Sequence, residues 1–206
     1  MHTIVRATII SMAAILFWGC AGTGINFAPE TVKALRLRST TRDQVIKILG
    51  KPESSKMIVE TNTKSTIDAY TFSKRSGLAD TWNYKDLILE YMHDTLNGYL
   101  YSNSFDRFST DIATAGIDKL KTNETTREEI IALFGDNYGE VLFPTNLIEP
   151  TKSLQQTIDS SKSTFSALAY RYRVYKLRDV QYRTLLLYFD AEGRLADKFY
   201  ADNLSE

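Results

Sequence analysis

The chain has 206 residues, of which 43% are hydrophobic, and its 25 basic side chains balance 25 acidic ones. This length accommodates one large or two small domains, and the charge balance argues against general electrostatic binding of nucleic acid. The single cysteine excludes an internal disulfide framework and a multi-cysteine zinc site. Twelve tyrosines and ten phenylalanines, against four prolines, favour β-structure.

Residues 1–19 have the pattern of an export signal. His2 and Arg6 precede an uncharged apolar run, Ala7–Trp18, whose length is typical of the hydrophobic region of a secretory signal. The run falls short of the roughly 20 residues that a membrane-spanning helix needs. It ends at Gly19-Cys20, and a small residue before a lone cysteine resembles the lipobox of bacterial lipoproteins.

The lipobox resemblance implies that Cys20 becomes the first residue and that its thiol and amino terminus are acylated. Each acyl chain adds about 0.8 kcal/mol of membrane affinity per buried methylene. Residues 20–28 would then form a membrane-proximal linker. Ala21, by resemblance to enterobacterial sorting, favours the outer membrane with the body facing the periplasm. A plain signal peptide, cut near Ala21–Thr23, is the alternative.

Two similar stretches, Thr40–Gly50 and Thr125–Gly135, stand 85 residues apart. Thr-x-x-Gln from Thr41 and Thr-x-x-Glu from Thr126 are both capping boxes, and apolar residues with helical spacing follow each one. The final glycine of each stretch is typical of a helix end. Apolar residues upstream keep the same offset, so each unit is predicted to open with two short helices.

β-rich runs follow each predicted helix pair in the same order. Those of the first unit are Ile67–Lys74, Asp86–Asp94 and Asn97–Phe105. Those of the second unit are Ala167–Lys176, Arg183–Gly193 and Glu192–Tyr200. Asn97-Gly98 and Glu192-Gly193 are predicted to be hairpin turns.

The sequence therefore predicts an α+β fold of two tandem repeats, at 29–108 and 109–206. Each repeat has two short helices followed by three or four antiparallel strands, and the two share one sheet with all helices on one side. The second repeat carries an insertion near 145–164, predicted to be a polar loop with one helical turn near Leu154–Ile158.

These motifs resemble the SmpA/OmlA family, which contains the small lipoprotein of the outer-membrane β-barrel assembly machine. The first repeat supplies Thr41, Val45, Leu49-Gly50-x-Pro52 and Tyr70-x-Phe72. The second repeat supplies Thr126, Ile130, Phe134-Gly135, Tyr170-x-Tyr172 and Phe189-Asp190-x-x-Gly193. The tandem arrangement is also similar to the β-lactamase-inhibitor-like fold, in which two helix-plus-sheet units form one saddle.

The family resemblance implies a non-catalytic, membrane-anchored periplasmic lipoprotein that serves as a protein-binding scaffold in outer-membrane protein assembly or envelope integrity. Its expected partners are the membrane, through the N-terminal lipid, and one or more envelope proteins. The inhibitor-like fold implies the alternative, a periplasmic inhibitor or sensor that binds an enzyme through the concave face of the sheet.

No catalytic, cofactor-binding or metal-binding residue is predicted. The sequence lacks the phosphate-binding glycine loops, the His-Glu-x-x-His zinc motif and the Gly-x-Ser-x-Gly elbow. His93 follows a predicted strand and is interpreted as a surface residue, although an enzyme that uses it is a third hypothesis. We therefore expect no enzyme, no cofactor, no small-molecule substrate and no nucleic-acid partner.

Two stretches are candidates for partner binding. Trp82 and Tyr84 lie in a predicted loop between strands, and large aromatic residues are favoured anchors at protein interfaces. In the second stretch, strand alternation places Arg171, Arg173 and Tyr175 on the face opposite Tyr170, Tyr172 and Val174. Two alternatives remain open: the loop aromatics pack back over the core, and the arginines prevent association between sheet edges.

Overall fold

The computed structural model describes residues 22–60, 63–76, 81–105, 109–160, 165–176 and 179–203. The helices are α1 (Pro29–Lys33), α2 (Arg42–Leu49), α3 (Arg127–Phe134) and α4 (Lys152–Ser160), with a 3-10 helix at Thr114–Lys119. The strands are β1 (Thr23–Gly24), β2 (Ser54–Glu60), β3 (Thr63–Arg75), β4 (Thr81–Met92), β5 (Thr95–Asn103), β6 (Gly139–Leu142), β7 (Ser166–Lys176), β8 (Asp179–Phe189) and β9 (Leu195–Asp202).

These strands form one sheet, and the α+β prediction is confirmed. β2 to β5 pair consecutively and antiparallel, and β6 to β9 do the same. Antiparallel pairing of β5 with β6 joins the two halves, and β7 also meets β4 and β5. Thr23-Gly24, in the predicted linker, pairs with the end of β3.

Both predicted capping boxes form. The side-chain oxygens of Thr41 and Thr126 accept from the backbone N–H of Gln44 and Glu129, each over 3.3 Å. The Gln44 and Glu129 side chains reach back to the backbone N–H of their capping threonines, each over 2.8 Å. These reciprocal bonds satisfy the first N–H groups of α2 and α3 and fix where both helices begin.

Both helices also end alike. Gly50 and Gly135 follow α2 and α3 with φ values of 82° and 85°, a backbone conformation that favours glycine. The hydroxyl of Tyr70 donates to the Gly50 carbonyl oxygen over 3.0 Å, and that of Tyr170 donates to the Gly135 carbonyl oxygen over 2.9 Å. Each helix is therefore held at its end by a tyrosine of the sheet.

The turns before these two helices join the sheet through matching backbone bonds. Leu96 donates its backbone N–H to the Thr40 carbonyl oxygen over 2.8 Å. Leu195 donates to the Thr125 carbonyl oxygen over 2.9 Å. The helical layer of each half is thus attached to its own last strand, β5 or β9.

Two apolar clusters lie between the helices and one face of the sheet. In the first, Val32 and Val45 of the helices pack with Tyr70, Leu87 and Leu89. The second cluster likewise joins residues of the helical layer to strand residues in the other half of the chain. It includes Leu120, Ile130, Leu168, Leu185 and Leu187. The alternate strand residues point to the opposite face, as the period of two requires.

A third cluster lies on that opposite face, so the prediction that all helices share one side is wrong. Leu154 of α4 packs there with Ala167 and Ala169 of β7. These alanines alternate along β7 with Leu168, which belongs to the second cluster. Because the first part of β7 is apolar on both faces, part of the insertion folds as α4 and covers the second of these faces. The sequence predicted a polar loop with one helical turn near Leu154–Ile158. The helix in the structure is longer and spans Lys152–Ser160.

The hairpin turn predicted at Asn97-Gly98 is also wrong, because both residues lie within β5. The β4–β5 turn is His93-Asp94, whose φ values are 50° and 61°. Gly98 instead allows β6 to pack closely against β5. A Cβ added at Gly98 would lie only 2.8 Å from the Val141 side chain on β6. The Glu192-Gly193 turn is confirmed between β8 and β9.

Other elements differ from the sequence predictions. The second half opens with a 3-10 helix rather than an α-helix. Strands β2 and β6 were not predicted, and β4 begins at Thr81, so Trp82 and Tyr84 lie on a strand rather than in a loop. No helix among the described residues is long and apolar enough to cross a membrane.

Candidate functional site

The two stretches proposed for partner binding lie side by side on the sheet. β4 pairs antiparallel with the end of β7, and this pairing places Trp82 opposite Tyr175. Along β4, Tyr84 and Asp86 alternate with the core residue Leu87 and so share the face that α4 partly covers. We call Trp82, Tyr84, Asp86, Arg171, Arg173 and Tyr175 the aromatic–arginine surface.

An aromatic pair and a cation form the centre of this surface. The ring centroids of Tyr84 and Tyr175 are 4.6 Å apart, with an angle of 42° between the ring planes. The guanidinium carbon of Arg173 lies 5.2 Å from the Tyr84 centroid and 5.6 Å from the Tyr175 centroid. Both distances allow cation–π attraction, so the three side chains hold one another in place.

Arg173 also pairs with a carboxylate on the neighbouring strand. Its Nη2 donates to Oδ2 of Asp86 over 2.8 Å, and the Asp86 side chain is 17% exposed. Burial raises the pKa of Asp86, while Arg173 and Arg171 act in the opposite direction. The ion pair therefore compensates a carboxylate that would otherwise be buried without a partner.

The second arginine brings a surplus of positive charge. Burial lowers the pKa of Arg171, and the nearby Asp86 carboxylate raises it. The Arg171 carbonyl oxygen accepts from the Thr110 hydroxyl, which fixes the strand at this position. The aromatic–arginine surface thus contains two guanidinium groups and one carboxylate.

The aromatic–arginine surface is partly exposed to solvent. Trp82 is 38% exposed, and Tyr84, Arg171, Arg173 and Tyr175 are each partly exposed. Neither alternative left open by the sequence describes this arrangement. Tyr84 does not pack into the first cluster, and the arginines lie on β7, in the interior of the sheet rather than at its edge.

A cleft lies on the helical face of the sheet. Its volume is about 370 Å³, and it is lined by α1, by β5 and by the segment that leads into β6. Lys33 of α1 and Asp136 form an ion pair of 2.7 Å beside it. Tyr99 and Tyr138 contribute aromatic walls.

The remaining sequence candidates lie apart from these sites. His93 is exposed in the β4–β5 turn. Within the part of the chain that the structure describes, no three His, Cys, Asp or Glu side chains are grouped so as to hold a metal ion. Cys20, the predicted lipid attachment site, lies outside the described residues.

Sequence reasoning found five residues of the surface but treated them as two separate stretches. It missed Asp86 as the partner of Arg173, although Asp86 follows Trp82 and Tyr84 at strand spacing. The pairing of β4 with β7 could not be predicted either, because those strands are far apart in the chain. Neither a family model, nor a curated protein, nor a solved structure matches this chain.

Proposed function

We propose that this chain is a membrane-anchored periplasmic lipoprotein that binds another envelope protein and catalyses no reaction. The observation that carries the proposal is the Tyr84–Tyr175 pair under Arg173, held beside the partly exposed Trp82. Tryptophan, tyrosine and arginine dominate the binding energy of protein interfaces. Pre-ordered side chains also lose little conformational entropy on binding.

The charge of the surface indicates the chemistry of the partner. Two guanidinium groups face one carboxylate, so a further carboxylate would complete the charge balance beside Arg171. Arginine binds carboxylates through paired, directional hydrogen bonds. The partner segment should therefore carry an acidic side chain next to an apolar one that packs against Trp82.

We further propose that the two halves are tandem copies of one unit. The supporting observations are contacts that recur with the offset of 85 residues: the capping boxes from Thr41 and Thr126, and the glycine helix ends. Arg38 and Asn123, with the same offset, have φ values of 60° and 64°. The 3-10 helix and α4 are differences between the copies.

The wider role follows from the SmpA/OmlA resemblance. It favours scaffolding in outer-membrane protein assembly or envelope integrity, with the body held at the membrane by lipid on Cys20. Membrane fractionation of a Cys20→Ala variant tests the anchor. We expect the variant to move to the soluble periplasmic fraction, and a distribution like that of the wild type would contradict lipid attachment.

Site-specific photocrosslinking in native membranes tests the binding surface. A photoreactive amino acid replaces Trp82 in one variant and Leu133 of α3 in the control, since these two residues are 38% and 37% exposed and lie on opposite sides of the sheet. We expect position 82 alone to crosslink to an acidic segment of an envelope protein. Mass spectrometry of the adduct identifies that segment.

The charge prediction is tested in the same experiment by adding Arg171→Glu. We expect this change to abolish the adduct at position 82, because it replaces the attracting guanidinium with a repelling carboxylate. The same adduct at both positions, or one insensitive to Arg171→Glu, would contradict the proposal. An adduct with a soluble periplasmic enzyme would favour the inhibitor or sensor alternative.

A further inference from the structure

β2 is an open edge of the sheet. It pairs with β3 at seven consecutive positions without a register shift, and with no other strand in the described ranges. Its outer backbone N–H and C=O groups therefore face away from the sheet. Met57 and Val59 on this strand are 57% and 72% exposed.

The opposite edge strand of the sheet, β9, is protected against pairing with another chain. β9 carries Asp197, Lys198 and Asp202, and its pairing with β8 contains a register shift beside Phe189. Charged side chains and bulges are the usual protections of a sheet edge against pairing with another chain. β2 also carries charged residues, Lys56 and Glu60, but they flank three consecutive apolar positions, 57–59, and its pairing with β3 contains no bulge.

The sequence of β2 is complementary to itself when it is read in the opposite direction. The five residues 56–60 read Lys-Met-Ile-Val-Glu. An antiparallel copy centred on Ile58 places residue 56 opposite residue 60 and residue 57 opposite residue 59. Each charged position then meets its opposite sign, and each apolar position meets another apolar one.

We propose that β2 pairs with β2 of a second copy of this chain, antiparallel and about a two-fold axis at Ile58. Such an interface uses the same patch on both copies, as a closed dimer requires. Opposite charges and apolar pairs directly across an antiparallel ladder both stabilise it. The two open β2 edges cover each other, and one sheet continues through both copies.

The dimer adds a property to the aromatic–arginine surface. The axis of an antiparallel strand pair is perpendicular to the sheet, so both copies show the same face to the same side. Two aromatic–arginine surfaces then face one direction, which raises avidity for a partner that presents two binding segments. The dimer itself does not depend on that proposed binding.

Disulfide trapping in the full-length protein, oxidised in its own membrane, tests the register. Ile58→Cys brings two thiols directly across the axis, within the Cα separation that a disulfide allows. Lys56→Cys is the matched control, because its symmetry copy lies four residues away along the strand, about 14 Å. The unsubstituted chain measures any contribution of Cys20.

We expect a disulfide-linked dimer from Ile58→Cys and none from Lys56→Cys. Equal yields from the two variants, or no dimer from either, would overturn the proposal. A disulfide between position 58 and a different protein would also overturn the proposal. It would indicate that a strand of that protein pairs with β2.

A charge swap provides a second test, by sedimentation of the full chain in detergent. Lys56→Glu or Glu60→Lys alone places like charges opposite each other at two symmetric positions and should raise the dimer Kd about tenfold. The double variant restores opposite charges and should restore the Kd. Residues 56 and 60 lie opposite the uncharged Ile67 and Thr63 in β3, so the swap changes no charge pair between directly opposite positions of the β2–β3 ladder. A double variant as weak as the single ones would refute the pairing.

Discussion

The hydroxyl of Tyr70 lies 3.0 Å from the carbonyl oxygen of Gly50 and connects β3 to the end of α2. Tyr170 makes the equivalent contact with Gly135 over 2.9 Å. Because each is one partly buried neutral hydrogen bond, Tyr70→Phe and Tyr170→Phe should each lower the free energy of unfolding by about 1 kcal/mol. Urea unfolding measures both losses. Variants as stable as the wild type would show that these bonds contribute nothing.

The buried tyrosines also predict a loss of stability at alkaline pH. Burial raises the pKa of Tyr70 and Tyr188 to about 12, against an ordinary value of about 10. The folded state therefore keeps phenolic protons that the unfolded chain releases. This stabilisation is fully present below pH about 10 and is lost as the pH rises through about 12. Unfolding followed by circular dichroism and by tyrosinate absorbance should coincide in this range. Early, non-cooperative titration of these tyrosines would contradict the prediction.

The capping threonines of α2 and α3 should stabilise the fold to a similar extent. Thr41 and Thr126 each accept from the third helical N–H, so Thr41→Ala and Thr126→Ala should each lower the free energy of unfolding by about 1 kcal/mol. Thr122→Ala, at an exposed turn position, is the control and should change stability little. A loss from Thr122→Ala equal to that of the caps would argue against a capping effect.

The features that the sequence predicted correctly are those whose partners lie within a few residues. A capping box requires only Thr41 and Gln44, and the helix end requires only Gly50, so both could be inferred from spacing. The face of β7 that carries Arg171 followed from alternation alone. These inferences depend on local geometry, which is the same in any fold.

The features that were missed depend on residues distant in sequence. Gly98 resembled a turn residue, but its role depends on Val141, which β6 brings close to it. The position of α4 depends on the second apolar face of β7, whose small residues Ala167 and Ala169 gave no sign of a helix above them. Long-range pairing also decides that Trp82 meets Tyr175.

The ion pair between Arg173 and Asp86 should be a stabilising contact with a characteristic pH dependence. Arg173→Leu leaves the largely buried Asp86 carboxylate without its partner and should lower the free energy of unfolding by about 1–3 kcal/mol at neutral pH. Burial raises the pKa of Asp86, so its protonated form favours the folded state and its ionised form opposes it. The loss should therefore shrink below pH about 4, where the carboxyl is protonated in both states.

A second substitution separates this charge effect from lost packing. Adding Asp86→Asn to Arg173→Leu removes the unpaired carboxylate and should recover part of the stability at neutral pH. Denaturant unfolding of the four members of this double-mutant cycle, at neutral and acid pH, measures the coupling. Additive effects of the two substitutions, identical at both pH values, would contradict a stabilising ion pair.

Glu90 should hold the insertion against the sheet. This fully buried carboxylate of β4 accepts from the backbone N–H of Asn146 over 3.0 Å, from the Asn146 side-chain amide over 3.1 Å and from the Thr145 hydroxyl. In Glu90→Gln, one acceptor oxygen becomes an amide donor that faces these donors. We expect a loss of about 1–3 kcal/mol in the free energy of unfolding and faster hydrogen exchange at Asn146. Glu149→Gln, an exposed carboxylate in the same segment, is the matched control and should change neither quantity. Unchanged exchange at Asn146 in Glu90→Gln would show that the other contacts of this segment, among them the apolar packing of Leu147, Ile148 and Leu154, keep it in place without Glu90.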